Sequence, residues 1–212
     1  MGKYKIGVLG GFRGKVGTVS GSSWKGIEYM KGPTRGTNKP ATQKQLEARE
    51  RFRVMIRFFS QLSSLLTLGF KNSASKMTGT NVAFHLNKNA IQGIYPNYSL
   101  DYSKLILTDG PLQQVVNPTA AAIGGGILNF IWEDNTGIKH ANANDKSILL
   151  VYCPEKGRFA YVDDGSPRSS KNARIDAGIF KGLIVETWLS FISVDGEEVT
   201  PSVYTGTLTV TV

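Results

Sequence analysis

The first 41 residues do most to limit what this chain can fold into. They hold ten glycines, eight Lys or Arg and a single acid, Glu28. Glycine gives up more backbone entropy on ordering than any other residue, and a segment with so few large side chains has little burial to offset that cost. It cannot build a core of its own. Yet Val16-Gly17-Thr18-Val19-Ser20 and Trp24-Lys25-Gly26-Ile27-Glu28-Tyr29-Met30 carry strand-forming residues on either side of the small-polar link Gly21-Ser22-Ser23. That pattern predicts a β-hairpin or an extended arm. Residues 1–41 are thus expected to form a basic, glycine-rich arm that needs a surface to lie on, in this chain or in a neighbouring molecule.

Charge follows the same division. The 212-residue chain carries 25 Lys or Arg against 16 Asp or Glu, a formal +9. Residues 1–57 hold 13 basic and 3 acidic side chains and residues 58–212 hold 12 and 13, so the whole excess is N-terminal. A lone Cys153 excludes an internal disulfide and a cysteine-cluster zinc site, and His85 and His140 leave little material for a histidine-rich centre. No metal or other cofactor is expected. No apolar run approaches the ~18 residues that cross a bilayer, and Met1-Gly2-Lys3-Tyr4-Lys5 leads into glycines where a secretory signal needs its apolar segment. Ile6 stands where myristoylation wants Ser or Thr. The expectation is a chain without a membrane span, made in a cytoplasm and leaving it only by lysis.

Residues 42–109 read as a helical assembly region. Thr42 can cap a helix, Gln45 three residues on can close a capping box, and Pro40 discourages helix before it. Leu46, Phe52, Met55, Phe59, Leu62 and Leu66 then fall on one helical face, predicting a strut of about 25 residues and on the order of 40 Å that ends near Gly69. Arg49, Arg53 and Arg57 recur every fourth residue on another face, and Glu47 with Arg51 suits an i,i+4 pair. A shorter helix is predicted over Thr80–Gln92 with Gly93 as terminator, followed by a strand over Tyr102–Leu107 and a turn at Asp109-Gly110-Pro111.

Residues 110–212 change to short strands separated by turns. Leu112–Ala122, Gly126–Glu133, Ser147–Pro154, Arg158–Asp163, Ala173–Asp176, Leu183–Val194 and Ser202–Val210 make seven, the count of an immunoglobulin or fibronectin-like β-sandwich. Leu128, Phe130 and Trp132 alternate inward on one strand, and Leu149, Val151 and Cys153 on the next. On the sixth, Leu183, Val185, Thr187, Leu189 and Phe191 form the expected core side, with Ile184, Glu186, Trp188 and Ser190 opposite. The fold class is thus mainly β with α: a basic arm or hairpin, a long and a short helix, and a C-terminal sandwich.

Reaction chemistry is hard to assemble from these residues. Gly10-Gly11-Phe12-Arg13-Gly14-Lys15 suggests a phosphate loop, but Leu9 stands where the motif needs glycine and Val16 where it needs Ser or Thr. Cys153 sits in the apolar run Leu149-Leu150-Val151-Tyr152-Cys153 and reads as a small buried hydrophobe. His140 lies in a polar loop and His85 on the short helix. Asp163-Asp164 precedes Gly165-Ser166-Pro167 and reads as a turn. The chain is expected not to be an enzyme. The arm offers two mechanisms. Phe12, Trp24 and Tyr29 interleave with Arg13, Lys15, Lys25 and Lys31 as a nucleic-acid groove would require. The same composition suits a strand-adding arm whose lysines keep a free edge from aggregating, and the glycine spacing favours that assembly role. The expected assembly interface is Phe12, Arg13, Lys15, Trp24, Lys25, Tyr29, Arg49, Arg53 and Arg57.

The run Gly14-Lys15-Val16-Gly17-Thr18-Val19, then Trp24-Lys25-Gly26, then Asn38-Lys39-Pro40-Ala41-Thr42-Gln43-Lys44-Gln45 and Arg51-Phe52, resembles an uncharacterised Bacteroidota family, a domain of unknown function. Its members carry Gly-Lys-x-Gly, Trp-Lys-Gly and Asn-Pro-x-Thr-x-x-Gln ahead of a helix, with a β-rich C-terminal half. Here Lys39 intervenes between Asn38 and Pro40. A glycine-rich basic lead into a Pro-x-Thr-x-x-Gln helix start is also similar to phage and prophage structural proteins. That resemblance implies a homo-oligomeric capsid- or tail-associated virion component, assembled in the bacterial cytoplasm with other virion proteins. The alternatives are a nucleic-acid-binding protein using the arm, and a carbohydrate-binding adhesion module using exposed Tyr152, Tyr161 and Tyr204. The family implies no catalytic residue.

Overall fold

The computed structural model of the chain describes the backbone of residues 3–4, and residues 11–33, 36, 39–74 and 76–212 in full. Gly10 of the glycine-lysine run and Asn38 of the helix lead lie outside the described residues. Two compact units emerge, Met1–Thr42 and Gln43–Val212.

The first unit is an antiparallel meander of β1 (Lys3–Tyr4), β2 (Phe12–Val16), β3 (Val19–Trp24) and β4 (Ile27–Lys31). The predicted hairpin link is displaced. Gly21-Ser22-Ser23 lies inside β3, and the chain reverses at Gly17-Thr18 and at Lys25-Gly26. Both reversals use positive φ, at Gly17 (59°) in one and at Lys25 (47°) and Gly26 (79°) in the other. These are the mirror-type turns whose twist matches that of paired strands. Gly21 is required for a different reason: a Cβ there would stand 2.1 Å from the Phe12 carbonyl oxygen. Gly21 is also the one buried residue among those described in residues 11–33, so this sheet has no interior.

The second unit opens with α1 (Gln43–Phe59), directly after Thr42. The expected continuous strut does not form. A 3-10 turn over Ser60–Leu62 interrupts it before α2 (Ser63–Gly69). Serines here compete for backbone groups, as Ser60 Oγ does by donating to the Arg57 carbonyl at 3.2 Å. The predicted Glu47–Arg51 pair is absent among the described ion pairs. Glu47 accepts from Gln43 at 3.2 Å, and the Arg51 guanidinium lies 5.0 Å from the Tyr98 ring centre. Next, α3 (Gly79–Asn87) is capped by Thr78, whose hydroxyl accepts from the Asn81 amide. Gly79 lets α3 approach α2: a Cβ there would meet the Leu66 carbonyl oxygen at 2.1 Å.

The short helix stops well before Gly93, which belongs instead to a hairpin of β5 (Ile91–Ile94) and β6 (Asn97–Leu100) turning at the cis Tyr95-Pro96 bond. The predicted strand over Tyr102–Leu107 is also replaced. Its start is a 3-10 turn over Tyr102–Lys104, capped by Asp101. Its later backbone is satisfied by a side chain, since buried Asn87 donates to the Ile106 carbonyl at 2.8 Å and accepts from its amide at 2.7 Å.

The seven C-terminal strands form: β7 (Val116–Ala122), β8 (Ile127–Glu133), β9 (Lys146–Cys153), β10 (Arg158–Val162), β11 (Asn172–Asp176), β12 (Ile184–Ile192) and β13 (Val203–Thr209). They pair as one sheet in the order β10-β9-β12-β13 and another in the order β11-β8-β7. Between the sheets lie Leu128, Phe130, Trp132, Leu149, Val151, Cys153, Val185, Leu189 and Phe191, the sides expected to face inward. The outer face of the larger sheet is buried too. Ile148 and Leu150 of β9 and Trp188 and Ile192 of β12 join Met55, Phe58, Phe59, Leu62 and Leu66 in a second core. Residues 42–109 and 110–212 are thus no pair of separate domains: the helices complete the sheet.

Candidate assembly surface

Register places the N-terminal residues. Along β3, Ser20, Ser22 and Trp24 share a face, and their cross-strand partners Lys15, Lys31, Tyr29 and Ile27 point the same way. Three expected interface residues, Lys15, Trp24 and Tyr29, therefore come together, and with them Lys31, one of the cations expected in a nucleic-acid groove. Trp24 is 42% exposed, with the Lys25 ammonium 5.7 Å from its ring centre. The Lys31 ammonium stands 5.1 Å from the Tyr29 ring. A hydrogen bond from Ser22 and then the Lys31 charge hold the Tyr29 hydroxyl below its ordinary pKa. The other face carries Val16, Val19 and Met30, the last 72% exposed. Arg13 donates to Ser23 Oγ at 2.5 Å, and Phe12 is half-buried. Among the described residues the sheet displays apolar side chains on both faces, with Lys15 and Lys31 together on one.

Arg49, Arg53 and Arg57 lie in the second unit and do not make one patch. Arg53 pairs with Glu50 at 2.5 Å and, with Arg49, borders a depression floored by Phe52 and Ile56. Arg57 enters a different groove of about 320 Å³, lined by Val54, Phe58, Tyr98, Tyr102 and Tyr152.

The tyrosines proposed for glycan contact share the outer face of the larger sheet, but each is engaged there. Tyr152 is packed against Phe58 (4.9 Å between ring centres) and Phe159 (4.5 Å), and Tyr161 shares a hydrogen bond with Ser64. Tyr204 donates to the buried Glu186 carboxylate. Burial raises the pKa of Tyr102, Tyr152 and Tyr204, and a hydrogen bond to Glu186 adds to the rise at Tyr204. The sign is fixed: this stabilisation is complete below the unfolded tyrosine value of ~10 and is lost as pH climbs towards the higher folded values. Thermal melts should therefore hold level to about pH 10 and fall beyond it, with Tyr102→Phe flattening the fall. An alkaline slope identical in the variant and the parent would contradict this.

No helix among the described residues is long and apolar enough to cross a membrane. His140 pairs with Glu198 at 3.1 Å and is mostly exposed.

Two packed antiparallel sheets of four and three strands, with helices covering one outer face, define a mainly β protein of the β-sandwich class. The chain belongs to a family of unknown function, DUF6266, whose model matches residues 11–206. A search of the curated proteins finds no match. Among solved structures, the solution structure of the fn3 domain of the human collagen alpha-1(XX) chain is similar over 47% of this chain and 85% of that one. Its sequence identity is 15% and its TM-score 0.34.

Proposed function

We propose that this protein is a non-enzymatic structural component of a phage or prophage virion, assembled in the bacterial cytoplasm as a homo-oligomer with other virion proteins. Residues 1–41 and α1 mediate assembly with sister subunits and other virion proteins, and the fibronectin-like sandwich is displayed. The observation that carries the reading is a four-stranded sheet in which, among the described residues, a single glycine is buried, Trp24, Ile27 and Met30 are exposed, and β4 is an edge strand. Strands left in this state gain stability by pairing with or packing on another chain. The virion assignment is supported by the basic glycine-rich lead into the Pro-x-Thr-x-x-Gln helix start. Deleting residues 2–36 leaves Gln43–Val212 with both of its cores, and is expected to yield a folded monomer where the full chain forms larger particles. Sedimentation and negative-stain images read the difference. Particles that persist without the segment would refute the role.

Lys15, Lys31, Trp24 and Tyr29 on one face favour a second reading, single-stranded nucleic-acid binding by charge and stacking. In that case affinity for an oligonucleotide falls steeply with salt, whereas packing of apolar strands does not weaken with salt.

A further inference from the structure

The N-terminal half of α1 and the adjacent side of α3 leave an apolar groove uncovered. Phe52 is 50% exposed and Met77 40%. The Phe52 ring is partnered on one side by Phe84, 5.1 Å away. Two depressions, of about 290 and about 550 Å³, both have Phe52 and Ile56 in their linings and so form one continuous feature. Its rim carries cations, Arg49 and Arg53 from α1 and Lys88 just after α3, and His85 completes the lining. No carboxylate lines either depression among the described residues, and the one acid bound to a rim cation is Glu50, on Arg53.

The stretch of α1 from Ala48 to Ile56 spans about 13 Å, two to three turns of a partner helix. An apolar floor between two helices accepts the apolar stripe of a third, and the rim decides which third helix is tolerated. The helices and leader of a second copy of this chain supply the wrong sign. Its α1 holds five Lys or Arg against Glu47 and Glu50, α2 and α3 hold no acid, and residues 1–41 hold eight cations against Glu28.

Taking α1 as an assembly element, we infer that this groove docks an acidic amphipathic helix of a different protein. Anchoring residues at i, i+3, i+4 and i+7 cover Phe52, Ile56 and Met77, and carboxylates on the flanks of the same helix meet Arg49, Arg53 and Lys88. The site therefore selects its partner by charge, and excludes self-association through this face.

The test uses the full chain and three labelled synthetic peptides of about 18 residues, long enough for a stable stripe. One has leucines at the stated spacing and glutamates elsewhere, one replaces the glutamates with lysines, and one scrambles the acidic peptide so that its stripe is lost. Fluorescence anisotropy is expected to show saturable binding of the acidic amphipathic peptide at least about tenfold tighter than of the other two. Phe52→Asp and the pair Arg49→Glu with Arg53→Glu should each weaken it at least about tenfold. Arg174→Gln, at an exposed cation on β11 of the same unit, should leave it unchanged. Equal binding of the scrambled peptide, or insensitivity to Phe52→Asp in a variant whose melt is normal, overturns the inference. So does a sedimentation shift to dimers that Phe52→Asp abolishes. Particle formation by the full chain is read separately, so this docking site can fail while leader-driven assembly stands, and the reverse.

Discussion

Arg168→Met should lower the stability of the larger unit by about 3–5 kcal/mol, the cost of removing one partner of a buried ion pair. For 170-odd residues that is a drop in melting temperature on the order of 10 °C. Arg168 is fully buried, and so is Asp145, whose carboxylate it meets at 3.1 Å through Nε. The rest of the guanidinium is used as well. One terminal nitrogen donates to Asn135 Oδ1 at 2.7 Å and the other to the Gln113 carbonyl at 3.3 Å, while the group's centre lies 4.2 Å from the Phe191 ring. Burial lowers the Arg168 pKa and the Asp145 charge opposes that, and a guanidinium keeps its charge at neutral pH.

Asp145 is what makes the loss large. Its Oδ2 accepts from the Asn142 amide as well as from Arg168, but its Oδ1 has no partner among the described residues. Without the guanidinium, this buried carboxylate keeps the Asn142 amide as its hydrogen-bond donor and loses its countercharge. Arg168→Lys should fall between, because an ammonium cannot reproduce a fork that reaches three acceptors at once. Arg168→Met combined with Asp145→Leu should recover a substantial part of the deficit, since apolar replacement of both partners removes the stranded charge. Urea unfolding followed by tryptophan fluorescence provides the numbers. A single Arg168→Met variant within about 1 kcal/mol of the parent would mean that water reaches the site and solvates Asp145.

This pair shows where the sequence was readable and where it was not. Arg168 lies in Pro167-Arg168-Ser169-Ser170, a polar run with every mark of a surface turn, and nothing in its composition distinguishes a solvated arginine from one folded under a strand end. The seven sandwich strands were legible because alternation and turn residues are local signals, down to the inward sides of β8, β9 and β12. What lay outside those strands was less so. Gly93 read as a helix stop, yet its φ of 95° serves the β5–β6 hairpin. Tyr102–Leu107 has strand-forming residues, but Asn87, 19 positions from Ile106 in sequence, supplies the pairing that a strand would need. Of the expected interface, strand register unites Lys15, Trp24 and Tyr29. The arginine row of α1, regular in sequence, is divided because Phe52 and Phe58 point into different grooves. The helix-on-sheet layer does have a signal in the sequence. Ile148-Leu149-Leu150-Val151 in β9, and Trp188-Leu189 followed by Phe191-Ile192 in β12, are nearly continuous apolar runs, which mark strands covered on both sides.

Trp188 sits where that second covering matters most, and its replacement tests the layer directly. It is fully buried on the outer side of β12, paired with Leu150 across one ladder and with Tyr204 across the other, beside a register shift at Thr187/Trp188. Its ring is 5.6 Å from that of Tyr204 and 6.4 Å from that of Tyr102. Trp188→Ala removes the largest buried side chain of the unit from between sheet and helices, at an expected cost of about 3–5 kcal/mol. Trp188→Phe is the sharper experiment. The indole Nε1 is buried with no hydrogen-bond partner among the described residues, so wild type already carries a desolvation cost of about 1–3 kcal/mol that phenylalanine does not. The lost ring volume opposes this by a similar amount, so Trp188→Phe should match the parent within about 1 kcal/mol while Trp188→Ala does not. If instead Trp188→Ala unfolds at the parental urea concentration, helices α1 and α2 contribute nothing to holding this sheet face. The two cores would then unfold independently, and the helices would form a layer free to separate from the sandwich.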